Sequence, residues 1–384
     1  MLVTSPRTGR VVTTLTGYQT FIPNKLPPDP PVLMDDEMQY LLSAADRKLG
    51  LLDGIIRVLP NPELFLAMYV KKEAVLSSQI EGTQASLVDV LDTPEDGSND
   101  NGKNDVEDVV NYVKAMKYGL ARLQELPLSL RLICEIHGVL LKGVRGSDRH
   151  PGEFRKSQNW IGPAGCTLAT ATFVPPPPDE MIHAMGDLEL FFHNQAFIPP
   201  LIKIAMIHAQ FETIHPFLDG NGRMGRLLIT FWLCQQEILS KPLLYLSYYF
   251  KQNRTEYYDR LMNVRLRGDW ENWIKFFLKG VAATAEGATN SATQILAMKD
   301  RYEKQLSEMP GNNNNSHRLL DLLFEMPRIS RADVKDRLEI SSPTAGALLE
   351  QFENLGILAD ITPERQRNKR YSFAEYVSLL EEGT

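Results

Sequence analysis

His215-Pro216-Phe217-Leu218-Asp219-Gly220-Asn221-Gly222-Arg223-Met224-Gly225-Arg226 puts a base, a carboxylate, three glycines, an amide and two arginines into twelve residues. Ahead of it, residues 201–214 carry apolar side chains at helical spacing. Behind it, Leu227-Leu228-Ile229-Thr230-Phe231-Trp232-Leu233 does the same. The spacing predicts a polar loop between two buried helices. Glycines let a backbone approach a ligand closely, and the free N–H groups that open a helix attract anions. Arg223 and Arg226 are three apart, share a helix face, and can grip one polyphosphate. Asp219 is a hard oxygen donor suited to a Mg²⁺ that already carries phosphates. His215 can be neutral near pH 7 and take a proton from an attacking hydroxyl. These are the parts of nucleotide-dependent group transfer.

Two plainer readings compete. Residues 220–225 match the dinucleotide pattern G-x-G-x-x-G, but that pattern needs a strand before it, and here a helical segment precedes it. A structural helix–loop–helix turn would not gather so many polar groups in one short loop.

The twelve residues meet every position of H-P-F-x-[DE]-G-N-G-R-x-x-R, and on them the chain resembles the Fic family. The resemblance implies an all-α fold, a Fic-type helical bundle, and the transfer of AMP from ATP to a Ser, Thr or Tyr hydroxyl. It implies that His215 is the base and that Asp219 holds Mg²⁺. Gly220, Asn221, Gly222, Arg223 and Arg226 would hold the phosphates, with Met224 and Gly225 in the same ATP-contacting run. A related phosphorylating branch has Lys in place of the second glycine, and Gly222 argues against it.

A second motif lies upstream. A helix expected over 62–80, with Asn61 as its cap and Pro62 at its first position, ends in Ser77-Ser78-Gln79-Ile80-Glu81-Gly82. Ser77 and Glu81 lie on one helix face, and Gly82 suits the residue past the helix end. Taken alone, Glu81 is an ordinary solvated carboxylate. By resemblance, Ser77, Glu81 and Gly82 match the inhibitory [ST]-x-x-x-E-[GN] of this family. Glu81 would pair with Arg226 and keep ATP from its productive pose, because an arginine bonded to a carboxylate is unavailable to a phosphate. Relatives also suggest a part for Glu81 in removing AMP from targets.

The 384 residues are 43% hydrophobic and 23% charged, which reads as an ordinary globular chain of two or three domains. The net charge of −7 gives no global pull toward nucleic acid or anionic membrane. Cys134, Cys166 and Cys234 are far apart and form no C-x-x-C pair, which fits a reducing cytoplasm. No apolar run follows the basic residues of the N-terminus, so a signal peptide is not expected, and no apolar run is long enough for a membrane span.

The expected organisation is an N-terminal arm and helical region (1–126), a catalytic domain (127–280), a helix and linker (281–315) and a winged-helix domain (316–384). Residues 1–34 read as a proline-rich, extended surface arm. Helical spacing runs over 35–54, 106–125, 129–141 and 179–194, with a polar loop at 94–104. Residues 157–174 read as a small β-hairpin. The resemblance makes this hairpin a flap that docks the target protein by strand addition. His208 is expected to be a buried structural histidine. Tyr248, Tyr249, Tyr257 and Tyr258 sit among aromatics at helical spacing, and by resemblance Tyr258 borders the adenine pocket. A polar helix is expected over 284–306, then a linker at Asn312–Asn315. Ser330 and Ser341 or Ser342 are the expected caps of the second and third C-terminal helices. The third carries Glu350 and Glu353, and only the wing is basic (Arg365, Arg367, Lys369, Arg370), so DNA binding is not favoured. The alternative from a different class is a nucleotide-sensing DNA-binding regulator. A homodimer that masks or frees Glu81 is left open.

Overall fold

The computed structural model describes residues 5–15, 17–58, 62–92, 104–144, 146–163, 165–194, 197–309 and 314–381. The Asn61 cap, most of the 94–104 loop and the first two residues of the asparagine run lie outside them. The chain opens with a hairpin, β1 (Gly9–Thr13) and β2 (Gln19–Pro23). Helices α1 (Asp36–Val58), α2 (Pro62–Ile80), α3 (Leu87–Leu91), α4 (Asn104–Arg122) and α5 (Leu130–Leu140) follow. Next come α6 (Pro178–His193), α7 (Pro200–Ile214), α8 (Asn221–Gln235), α9 (Ser247–Gln252), α10 (Arg254–Arg267) and α11 (Trp270–Ser307). The C-terminal part holds α12 (Asn314–Glu325), β3 (Arg328–Ser330), α13 (Arg331–Leu338), α14 (Ser342–Asn354), β4 (Ala359–Asp360), β5 (Arg370–Ser372) and α15 (Ala374–Glu381). The fold is mainly helical, with small antiparallel sheets.

The pair α7–α8 is the centre. Pro200 opens α7 at a position where its missing N–H costs nothing, and every residue from Leu201 to Ile214 is buried. Helices α6, α10 and α11 pack on α7, while α2 and α4 pack on α8. Each apolar side chain so buried stabilises by about 1.5–3 kcal/mol. The helices on all sides therefore hold the loop between α7 and α8 in a fixed frame.

Two segments differ from the sequence reading. The N-terminal arm contains a hairpin, paired from Gly9–Pro23 to Thr13–Gln19. Apart from Pro6, its prolines lie at and beyond Pro23, which leaves the β-branched run Val11-Val12-Thr13 free to pair. The hairpin is docked: Phe21 N–H donates to the Val174 carbonyl (3.0 Å) and the Phe21 and Phe173 rings lie 5.7 Å apart. Conversely, the hairpin expected over 157–174 reduces, among the described residues, to one antiparallel bridge, Ile161 with Phe173. Gly162, Pro163 and Gly165 interrupt the ladder there, and side chains hold the segment instead. Arg155 donates to the Ser157 and Pro176 carbonyls, and Gln158 to the Pro175 carbonyl.

The polar helix expected over 284–306 is the second half of α11, which runs unbroken from Trp270. Helix α12 begins at Asn314, so the end of the asparagine run is helical rather than linker. Ser330 caps α13 in a capping box with Asp333, and Ser341 caps α14. The C-terminal strands form a sheet in the order β3-β5-β4.

Candidate active site

The loop between α7 and α8 is bracketed by two left-handed residues. His215 (φ 51°, ψ 61°) ends α7 and Gly220 (φ 74°, ψ 6°) opens α8. Gly220 offers no side-chain cap, so the first N–H groups of α8 face a cavity of about 260 Å³. Glu81, Thr83, Asp108, His215 and Leu218 line this cavity together with residues Asp219 to Arg223.

His215 is half-buried at the cavity wall. Burial, then the cations of Arg265 and Arg155, push its pKa down to about 3. At pH 7 the imidazole is neutral and able to accept a proton. Its carbonyl is fixed by Arg155 Nε (3.0 Å) and Asn159 Nδ2 (3.1 Å), which holds the strained φ in place.

The two motif arginines are tied to different carboxylates. Arg226 is buried. Its Nε donates to Ser77 Oγ (2.8 Å), and one Nη to the Ser77 carbonyl (2.9 Å) and to Glu81 Oε1 (2.7 Å). Burial opposes its charge, yet Glu81, with Tyr257, Tyr258 and Glu212, raises its pKa above the ordinary arginine value. Arg223 donates to Asp108 Oδ1 of α4 (3.1 Å) and lies 3.7 Å from Asp219 Oδ1. A Cβ on Gly222 would sit 2.1 Å from Glu81 Oε1, so the glycine makes room for a carboxylate over the start of α8.

Three residues of the expected ATP-contacting run make contacts to the scaffold. Asn221 gives both ends of its amide to Phe217: Oδ1 accepts from the Phe217 N–H (2.9 Å) and Nδ2 donates to its carbonyl (2.8 Å). It shapes the loop, and it still lines the cavity with the second N–H of its Nδ2 unused by Phe217. Met224 is fully buried. Gly225 faces α7, where a Cβ would meet Glu212 Oε1 at 2.5 Å, and its carbonyl accepts from His208 Nδ1. His208 is buried as expected, with Nε2 accepting from the Tyr257 hydroxyl (2.8 Å). Tyr258 is half-exposed, outside the residues that line the cavity, with Arg254 over its ring at 5.5 Å. Burial, then Glu81, pushes its hydroxyl up to about 12.

His137 was not foreseen. It stacks on Phe217 (3.6 Å), accepts the Gly152 N–H at Nδ1 (2.9 Å) and donates from Nε2 to the Asp219 carbonyl (3.0 Å). Burial holds its pKa near 4, so it stays neutral and in that tautomer. Glu73 and Glu212 were not foreseen either. Both are buried beside Arg226 and raised to about 7 by burial. A lone histidine or glutamate in an apolar run carries no pattern that marks such a role.

An uncapped helix start, a neutral histidine and two arginines paired with carboxylates thus meet at one cavity on a helical frame. Comparison with known families specifies the class. The Fic/DOC family N-terminal model matches residues 39–121 and the Fic/DOC family model matches residues 127–233. The chain is a member of the Fic/DOC family. It is 27% identical over 260 residues to "Protein adenylyltransferase Fic" of Drosophila persimilis, which covers 64% of this chain and 48% of that protein. The protein of the same name from Aedes aegypti is 33% identical over 203 residues, 51% of this chain and 37% of that protein. The chain thus spans about half the length, or less, of these curated relatives. A Fic family protein from Desulfovibrio desulfuricans G20 shares the fold, with a TM-score of 0.56 at 18% identity, over 89% of this chain and 97% of that one. A Fic domain containing signaling protein from Bacteroides thetaiotaomicron gives 0.51 at 18% identity, over 67% and 97%.

Proposed function

We propose that the chain is a protein adenylyltransferase that moves AMP from ATP to a Ser, Thr or Tyr hydroxyl, and that Glu81 restrains it. The observation that carries this reading is the cavity in which His215, the free start of α8 and Arg223 meet while Glu81 holds Arg226. A target hydroxyl oxygen attacks the α-phosphorus, its proton passes to the neutral His215, and the bond to the β-phosphate oxygen breaks to release pyrophosphate. The α8 N–H groups and Arg223 stabilise the charge that develops on the phosphates. With Glu81 and Ser77 on its guanidinium, Arg226 cannot serve the γ-phosphate.

Asp219 has a partly exposed carboxylate at the cavity, and no group of three or more metal-binding side chains occurs among the described residues. That donor set fits a Mg²⁺ carried in on substrate phosphates rather than one held in an all-protein cage. Asp219 would hold such an ion, which supplies charge neutralisation at the phosphates. Segment 157–174 holds a single β-bridge among the described residues, which leaves backbone there for a docked target strand. Removal of AMP from targets remains a second use of Glu81.

The regulator reading has less support. Among the wing cations, Lys369 pairs with Asp360, Arg370 with Asp92 and Arg365 with Glu364. Glu350 and Glu353 are exposed on α14. No helix among the described residues is long and apolar enough to cross a membrane.

Mass spectrometry of wild-type, Glu81→Gly and Glu81→Gly/His215→Ala protein after ATP and Mg²⁺ tests the proposal. The expected result is an AMP adduct that is strong in the single mutant, weak in wild type and absent from the double mutant. No adduct in the single mutant overturns the donor and the restraint together.

A further inference from the structure

Both motif arginines are met by carboxylates from the N-terminal region, but the two carboxylates are built differently. Glu81 lies just past the end of α2, its side chain is 37% exposed, and Gly82 with φ 99° follows it. Turning outward would return the Glu81 carboxylate to solvent and leave only the Arg226 half of the pair buried. Asp108 sits within α4, and the Asp108 and Arg223 side chains are each only 7% exposed. Moving it would strand both a buried carboxylate and a buried guanidinium.

The hydrogen bonding differs too. Glu81 and Ser77 together engage Nε and one Nη of Arg226. Asp108 engages only Nη1 of Arg223, while the buried Nε has no partner and the other Nη lies 3.7 Å from Asp219. An arginine has five N–H donors, so most of those on Arg223 stay available. Asp108 and Arg223 both line the cavity. When Asp219 turns to a phosphate-borne cation, Asp108 is the carboxylate that still fixes Arg223.

We infer that Asp108 is a positioning residue for nucleotide binding: it anchors the Arg223 guanidinium so that its remaining donors face the triphosphate at the start of α8. The inference rests on the adenylyltransferase reading for the identity of the nucleotide. It assigns to α4 a part in substrate binding that the loop motif does not contain. Glu81 is then a removable restraint and Asp108 a permanent anchor.

The test uses the full chain in a Glu81→Gly background and measures ATP binding directly by titration calorimetry without Mg²⁺, beside melting temperature and the KM and kcat of AMP incorporation. Asp108→Ala is expected to weaken ATP binding by about tenfold or more, the scale of one charge-assisted hydrogen bond. KM should rise with it while kcat changes less. The isosteric Asp108→Asn should fall between, and Asp108→Glu should recover part of the affinity. If Asp108→Ala does not fold, Asp108→Asn carries the comparison. A lowered melting temperature with unchanged ATP affinity in Asp108→Asn would make the pair purely structural and overturn the inference. So would a gain of AMP incorporation on Asp108→Ala with Glu81 intact, which would make Asp108 a second restraint. If Glu81→Gly shows no AMP incorporation at all, the adenylyltransferase reading fails, yet the affinity comparison still decides the role of Asp108.

Discussion

His208 shows what a single buried residue contributes and what it costs. Its Nδ1–H donates to the Gly225 carbonyl and its Nε2 accepts the Tyr257 hydroxyl, so the neutral ring satisfies both neighbours. Burial holds its pKa near 3, against about 6.5 when exposed. The unfolded chain therefore binds a proton here that the fold refuses. The stabilisation is present above pH 6.5 and is lost as pH falls toward 3, by about 1.4 kcal/mol per pH unit for this group. His208→Gln is expected to lower stability at pH 7.5 by about 1–3 kcal/mol, the penalty for an imperfectly satisfied buried site. It is also expected to flatten the acid limb of a denaturation series between pH 6 and 4; an unchanged slope would assign that limb to His137 or His215. At this scale the sequence spoke clearly wherever charge was the message. His215 and Glu81 line one cavity and Glu81 meets Arg226; a base, a carboxylate and an arginine have few apolar uses. Asn221, Met224 and Gly225 also carry contacts to the scaffold that the motif does not announce, because adjacent helix positions point about 100° apart. Membership of a motif does not say which of them faces the cavity.

At the scale of the element, the end of α2 is a device of three parts. Ser77, buried, gives Arg226 both its hydroxyl and its carbonyl; Glu81 adds the carboxylate; Gly82 turns the chain away with a positive φ. Ser77→Ala removes one acceptor and leaves Arg226 Nε buried without it. The expected cost is about 1–3 kcal/mol of stability. AMP incorporation should rise above wild type but stay below Glu81→Gly, because the carboxylate still holds one Nη. Label incorporation beside a melting curve would separate the two effects, and activity equal to wild type would reduce Ser77 to packing. Helices such as α2 were legible because their apolar spacing and punctuation agree. The N-terminal hairpin was not, since a proline-rich tail masks a short β-branched run whose partner surface, Val174 and Phe173, lies far along the chain. Nor was the continuity of α11, whose second half is too polar to reveal what it packs against.

At the scale of the molecule, the C-terminal part leans on the helix that leads to Glu81. Helix α12 packs on α2, Lys299 of α11 pairs with Asp321 of α12 (2.7 Å), and Asp92 at the end of α3 receives Arg328 at 2.5 Å and Arg370 at 3.6 Å. The Arg328 and Asp92 side chains are 16% and 35% exposed, enough shielding for the pair to matter more than a surface bridge. Helix α2 therefore packs against α4, α8 and α9 as well as against α12. Loosening the C-terminal contacts should let the α2 end, with Glu81, depart more often from Arg226. Arg328→Ala/Arg370→Ala is expected to lower the melting temperature by a few degrees, the scale of about 1 kcal/mol in a chain of this size. It is also expected to raise AMP incorporation in the otherwise wild-type chain. The same pair of substitutions in a Glu81→Gly background should leave incorporation unchanged, because the restraint they would loosen is already gone. A rise in both backgrounds would place the effect in the catalytic domain itself. No rise in either would mean that α4, α8 and α9 hold α2 without help, and that the C-terminal part is coupled to the catalytic centre by packing alone.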